Sequence, residues 1–298
     1  DFVFIDDNYE HGLLEEFALG KTNVRVFPVK IRDDYVCNER THHWREALIW
    51  KVAGYKNRFI QMALAENYDY LFLVDSDLYL HPGTLVHLVS LEKDIVSEVF
   101  WTRWEPEMPP LPQVWVSDQY QLYQAARGEE LSEEEAVRRT SEFLKMLARP
   151  GTYKVGGLGA CTLISKRALA AGVSFSEIYN LGLSGEDRHF CIRAAVLGLE
   201  LYADTHYPPF HIYRKSELEG LAAYKKKHGL KQDPAGNAGK PGESQRGSRI
   251  TLAMLVRNEA GRYLPMVLQR GRFGGGMSQG PGRNAPHPGY QPGAIFPQ

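Results

Sequence analysis

Little in this chain points to a membrane, a nucleic acid or an oxidising compartment. No apolar run approaches the ~20 residues that a bilayer-crossing helix needs. Basic residues are not in excess: the net charge is −1, which leaves no electrostatic footprint for a nucleic-acid partner. Cysteine is scarce, and Cys37, Cys161 and Cys191 lack metal-ligand spacing. Reduced, mostly buried thiols in a cytoplasmic protein are the expectation. The sequence opens within a strand-like run instead of a secretory signal, which adds to that expectation. What remains is ordinary globular composition, 43% hydrophobic and 24% charged, over a length that suits one large α/β domain or two small ones.

Alternation of strand-like and helix-like segments predicts an α/β fold with a doubly wound, largely parallel central sheet and flanking helices. Strands are expected at Phe2–Ile5, Val24–Val29, Tyr70–Val74, Ile95–Phe100, Ala160–Ile164 and Glu200–Asp204. Helices are expected over Glu10–Leu19, Trp44–Glu66, from Pro82 to about Leu91, from Ser132 to about Ala148, and over Glu186–Leu197. Ser132 to Glu135 has the pattern of a capping box, and Ser165 is expected to cap a short helix ending at Gly172. Residues 1–230 read as one domain and 231–249 as a linker. Residues 250–269 read as a strand, Ile250–Val256, followed by a helix. The tail 270–298 reads as disordered, because Gly271 to Gln298 holds eight Gly and five Pro among 28 residues.

The richest chemistry follows the apolar run Tyr70-Leu71-Phe72-Leu73-Val74. Asp75-Ser76-Asp77 sits at its carboxyl end, where open α/β sheets bind ligands. Two carboxylates so placed suit a hard divalent cation that holds a diphosphate; a polar turn is the plainer reading. Three further elements join them. Gly156-Gly157-Leu158-Gly159 lets backbone approach a ligand closely. Glu186 and Asp187 follow Gly185 at a helix start, where acids are favoured by the helix dipole and where one can act as a general base. His211, within Pro208 to Tyr213, is either a packed histidine or a further cation ligand.

In that order these elements resemble the glycosyltransferase A fold, especially family 2-like glycosyltransferases. The resemblance covers about residues 1–215. It implies a Rossmann-like sheet, and Mn²⁺ or Mg²⁺ held by Asp75, Asp77 and His211. It also implies a nucleoside-diphosphate-sugar donor and a saccharide or other hydroxyl acceptor. Asp187 is then the base of an inverting transfer, with Glu186 positioning the acceptor or a loop. Phe4-Ile5-Asp6-Asp7-Asn8 resembles the family's second strand, so Asp7, or Asp6, is expected to contact the nucleotide base. Lys56-Asn57 resembles the basic segment that organises the nucleotide, and Asp75 and Gly157 are expected beside the donor. Trp101, Trp104 and Trp115 are weighed as stacking platforms for acceptor sugars against simple packing. Thr41-His42-His43-Trp44 is weighed as an acceptor-side contribution against a surface helix start. The rivals are a retaining transferase of the same fold, a nucleotidyltransferase and a non-catalytic binding module. One departure stands out: the family's first strand does not precede Phe2. Ile250 to Glu259 resembles it, so that stretch either opens a truncated second domain or docks between Phe2–Ile5 and Tyr70–Val74, with Arg257 to Glu259 then expected beside the nucleotide site.

Overall fold

The protein is described from a computed structural model, which covers residues 1–7, 12–29, 36–182, 185–230 and 250–256. In chain order the first elements are β1 (Phe2–Asp6), α1 (Leu13–Ala18), β2 (Val24–Pro28), β3 (Val36–Cys37), β4 (His42–His43) and α2 (Glu46–Ala65). They continue with β5 (Tyr70–Asp75), β6 (Leu78–Tyr79), α3 (Thr84–Ser90), β7 (Ile95–Glu98), β8 (Trp101–Thr102), β9 (Leu111–Pro112) and β10 (Val114–Trp115). Then follow α4 (Glu133–Leu147), β11 (Thr152–Val155), β12 (Gly157–Leu158), β13 (Thr162–Ser165) and α5 (Lys166–Ala170). The last are α6 (Glu186–Val196), β14 (Leu201–Asp204), β15 (Phe210–His211), α7 (Leu218–Lys227) and β16 (Ile250–Val256).

The Tyr70–Val74 run is buried on both faces, as its composition requires. Leu71 and Leu73 join an apolar layer with Phe59 and Ala63 of α2 and Phe190 and Ala194 of α6. Phe72 and Val74 face the opposite layer, with Leu14 of α1 and Leu88 and Val89 of α3. This two-residue alternation is the pleat of a central strand. The Ser132 hydroxyl accepts from Glu135 N at 3.2 Å to open α4, and Ser165 likewise accepts from Ala168 N to open α5.

The main sheet has eight strands in the order β11-β14-β7-β13-β5-β16-β1-β2. It is mixed and mostly antiparallel. Only β1–β2 and β7–β14 pair in parallel; the other five neighbouring pairs are antiparallel. The expected doubly wound, largely parallel sheet is therefore wrong. An apolar run buried on both faces has the same pattern in either direction, so composition cannot set its polarity. Between β7 and β13 the chain also makes a long excursion through α4 and several small ladders instead of one crossover helix, and β13 returns against both neighbours.

Strand β16 lies between β1 and β5, the slot considered for it, but runs against both. Its last residue, Val256, pairs with Tyr70 at the opposite end of β5 from Asp75. A place for Arg257 to Glu259 beside Asp75 does not follow from that direction, and those residues lie outside the described ones. So do the linker 231–249, the helix expected over 262–269 and the tail 270–298. Among the described residues no helix is long and apolar enough to cross a membrane.

Despite the mixed pairing, β1, β2, β5, β7 and β14 share one direction and β11, β13 and β16 run oppositely. The carboxyl ends of β1, β5, β7 and β14 thus lie on one edge of the sheet. Asp6, Asp75, Glu98 and Asp204 end these four strands, and the candidate site is built along that edge.

Candidate active site

Three elements converge beyond the end of β5. Helix α2 passes Lys56 under the edge, where its side chain is almost fully buried. Its ammonium donates to Glu186 Oε1 and Asp187 Oδ1, both at 2.8 Å, and lies 4.9 Å from the Phe175 ring centroid. The two acids open α6. Its cap, Gly185, has φ +95°, and a β-carbon there would lie 2.9 Å from the Tyr120 hydroxyl. Glycine therefore serves both the backbone conformation and the close approach of Tyr120.

Burial pushes the Asp187 carboxyl up, Lys56 draws it down and Glu186 pushes it up again; it settles at about 6. Asp75 is raised to about 7, chiefly by burial, with Lys56 opposing and Asp77, Asp187 and Glu186 adding to the rise. For Lys56 burial works against the charge, but Asp187, Glu186 and Asp75 outweigh it and hold the pKa well above the ordinary value. Removing one partner of such a cluster leaves uncompensated buried charge. Lys56→Met is accordingly expected to cost about 3 kcal/mol, the lower end of the range for broken buried pairs, because Asp187 keeps 26% of its side chain exposed. Denaturant unfolding checks this, and a loss below about 1 kcal/mol, the scale of a surface pair, would contradict it.

On the other side of Asp75 the turn after β5 is tied down by the β6–β15 ladder, in which Leu78 pairs with His211. Ile212 N donates to Asp77 O at 2.8 Å. This brings His211 Nε2 to 3.2 Å from Asp77 Oδ2. Burial alone would lower the His211 pKa, but Asp77 raises it; reciprocally, His211 and then His42 hold Asp77 low against its own burial. The far side of the imidazole is oriented by a relay. Gln113 Nε2 donates to Thr102 Oγ1 at 2.9 Å, and Thr102 Oγ1 lies 2.9 Å from His211 Nδ1. Neither residue is prominent in the sequence, since both lie in the irregular Pro-rich insertion, where no periodicity marks them.

The cation implied by the resemblance has a partial fit. Asp77 Oδ1 is buried and has no hydrogen-bond partner among the described residues. An orphaned carboxylate oxygen beside an imidazole is what a cation would satisfy. Asp75 stands further off. One ligand atom each from Asp75, Asp77 and His211 do not come within 4.8 Å of one another, whereas such atoms of His87, Asp204 and His206 do.

The remaining expected residues divide. Asp7 is buried at the end of β1 and pairs with Lys51 at 3.0 Å, while the Asp6 carbonyl accepts from Val29 N. Asn57 turns away from Lys56: its Oδ1 accepts from Phe175 N at 2.7 Å and its Nδ2 donates to Ser176. It fixes that loop against α2. Gly157 pairs with Trp115 across β10 and β12, and a β-carbon there would fall inside the indole. At Gly159 a β-carbon would lie 3.5 Å from Asp187 Oδ2. Trp115 is buried against Tyr120, and Trp104 packs edge-on against Tyr213. Trp101, by contrast, lines a cleft of about 430 Å³ with Arg103, Pro110, Phe210 and His211. His42 stacks on Tyr213 at 4.0 Å and its Nε2 lies 2.6 Å from Tyr213 O, so the Thr41–His42 segment joins the wall near Asp77.

Neither a protein-family model nor a curated protein matches this sequence.

Proposed function

We propose that this protein transfers a sugar from a nucleoside-diphosphate sugar to an acceptor hydroxyl, with inversion and with Asp187 as the base. The observation that carries the reading is the convergence of Asp187 on Lys56, Asp75 and the Asp77–His211 pair at one sheet edge. A base must be largely ionised near neutral pH yet still basic, and a carboxyl raised to about 6 meets both needs. Its Oδ1 is held by Lys56. Its Oδ2 faces Gly159, whose missing β-carbon leaves room for a hydroxyl.

In the reaction the acceptor oxygen attacks the anomeric carbon as its proton passes to Asp187 Oδ2. The bond from that carbon to the diphosphate breaks, and its electron pair leaves on the phosphate oxygen. Asp77 and His211, with Asp75 nearby, are the residues that would hold Mn²⁺ or Mg²⁺, which supplies positive charge for the leaving diphosphate. Imidazole among the ligands suits Mn²⁺ better than Mg²⁺. Lys56 keeps Asp187 oriented and tempers its basicity. The Thr102–Gln113 relay keeps the His211 ring turned toward Asp77. The cleft at Trp101 is the acceptor side, where an indole face stacks on a sugar ring.

The test is diphosphate release from a panel of nucleotide sugars with Mn²⁺, scored with and without simple saccharide acceptors. Metal-dependent release stimulated by one acceptor class supports the reading, and an α-linked donor should give a β-linked product. Release from no donor in the panel, or a retained anomeric configuration, would contradict it.

A further inference from the structure

A second constellation lies along the same edge, two strands past β13. Asp204, at the end of β14, is fully buried. His87 Nε2, from the last turn of α3, lies 3.1 Å from its Oδ1. His206 Nδ1 lies 3.0 Å from both carboxylate oxygens. One ligand atom from each residue falls within 4.8 Å of the others. The carboxylate is also held by two further donors: Thr152 Oγ1 donates to Oδ2 at 2.7 Å and the backbone N of His206 donates to Oδ1 at 3.0 Å.

A second observation points the same way. Glu98 is the register partner of Asp204 on parallel β7, so the two side chains stand on one face of the sheet. Glu98 is also fully buried. Its Oε1 accepts from Tyr207 N at 2.7 Å, while its Oε2 has no hydrogen-bond partner among the described residues. Two buried carboxyl groups side by side, one with an orphaned oxygen, are costly unless a shared proton or a cation lies between them.

We propose that His87, Asp204 and His206 form a binding site for a borderline divalent cation, with Zn²⁺ as its best match. Two imidazole nitrogens and one carboxylate make a three-ligand protein set for Zn²⁺, with a position left for water or a further ligand. The nitrogen-rich set distinguishes it from the carboxylates at Asp75 and Asp77, which suit harder ions. Thr152 and the His206 amide are its supporting shell. Its effect is mechanical. Residues 205–209 join β14 to β15, which carries His211, and an ion on His206 pins the start of that connection to α3 and the sheet. The site does not depend on the transfer chemistry proposed above.

The test is calorimetric titration of Zn²⁺ into the full chain after chelator treatment, with Co²⁺ as a spectroscopic substitute. One saturable site that survives Asp77→Ala is expected, together with a visible Co²⁺ absorption band from nitrogen and oxygen ligands. His87→Gln and His206→Gln should each abolish both signals, and Thr152→Val should weaken binding by about 10–100-fold. Asp77→Ala should leave both signals intact. His206 is partly exposed, so its variant serves if His87→Gln fails to fold. Absence of saturable binding in the unaltered chain, unchanged affinity in His206→Gln, or loss of binding in Asp77→Ala would overturn the proposal.

Discussion

Removing Ile250 to Gln298 is expected to destroy the soluble fold, not merely trim it. β16 pairs at five positions with β1 and at six with β5. Without it the inner edges of both strands lose their ladder in the middle of the sheet. Each buried backbone group left unpaired costs about 1–3 kcal/mol, and only a few of them match the whole stability of a typical domain, about 5–15 kcal/mol. An open central edge would also template aggregation. Expression of residues 1–249 should therefore give insoluble protein, or protein with no cooperative thermal transition. A soluble product with the melting temperature of the full chain would show that β16 contributes nothing to the sheet.

Asp187→Asn is expected to lower turnover by about 10²-fold or more while donor binding persists, the usual scale for a lost general base. The substitution keeps shape and the hydrogen-bonding oxygen toward Lys56 but cannot take the acceptor proton. The unaltered protein should also show an acid limb in kcat/KM. Below about pH 6 Asp187 is protonated and cannot act as base; as pH rises through 6 it ionises and the rate climbs to a plateau. In Asp187→Asn that limb should vanish. A variant with near-normal turnover, or one that keeps the limb, would reduce Asp187 to a helix-opening acid paired with Lys56.

Much of the site was legible because its residues are tied to features that hydropathy reveals. Asp75 and Asp77 follow a strand buried on both faces. Glu186 and Asp187 follow a glycine at a helix start. Lys56 was legible only through the resemblance of Lys56-Asn57 to a family segment, not through hydropathy. Strand direction was not legible, because β13 and β16 have the apolar pattern of their neighbours whichever way they run. The two-residue ladders were also invisible, since β6 and β15 are too short to show a period; yet that pairing sets His211 beside Asp77. Gly157 was legible only as a place of close approach. A glycine-rich stretch signals close approach but does not name what approaches, and here it is the Trp115 indole. His87, Asp204 and His206 lie on a helix, a strand end and a loop, with no sequence spacing that unites them.

The central claim is that the acids beyond β5 gather a cation and a diphosphate. Calorimetric titration of a nucleoside diphosphate in the presence and absence of Mn²⁺, for the unaltered protein and for Asp77→Ala, tests it most directly. The account predicts Mn²⁺-dependent binding that Asp77→Ala abolishes while its melting temperature stays close to that of the unaltered chain. Equal affinity with and without Mn²⁺, or undiminished metal-dependent binding in Asp77→Ala, would contradict it.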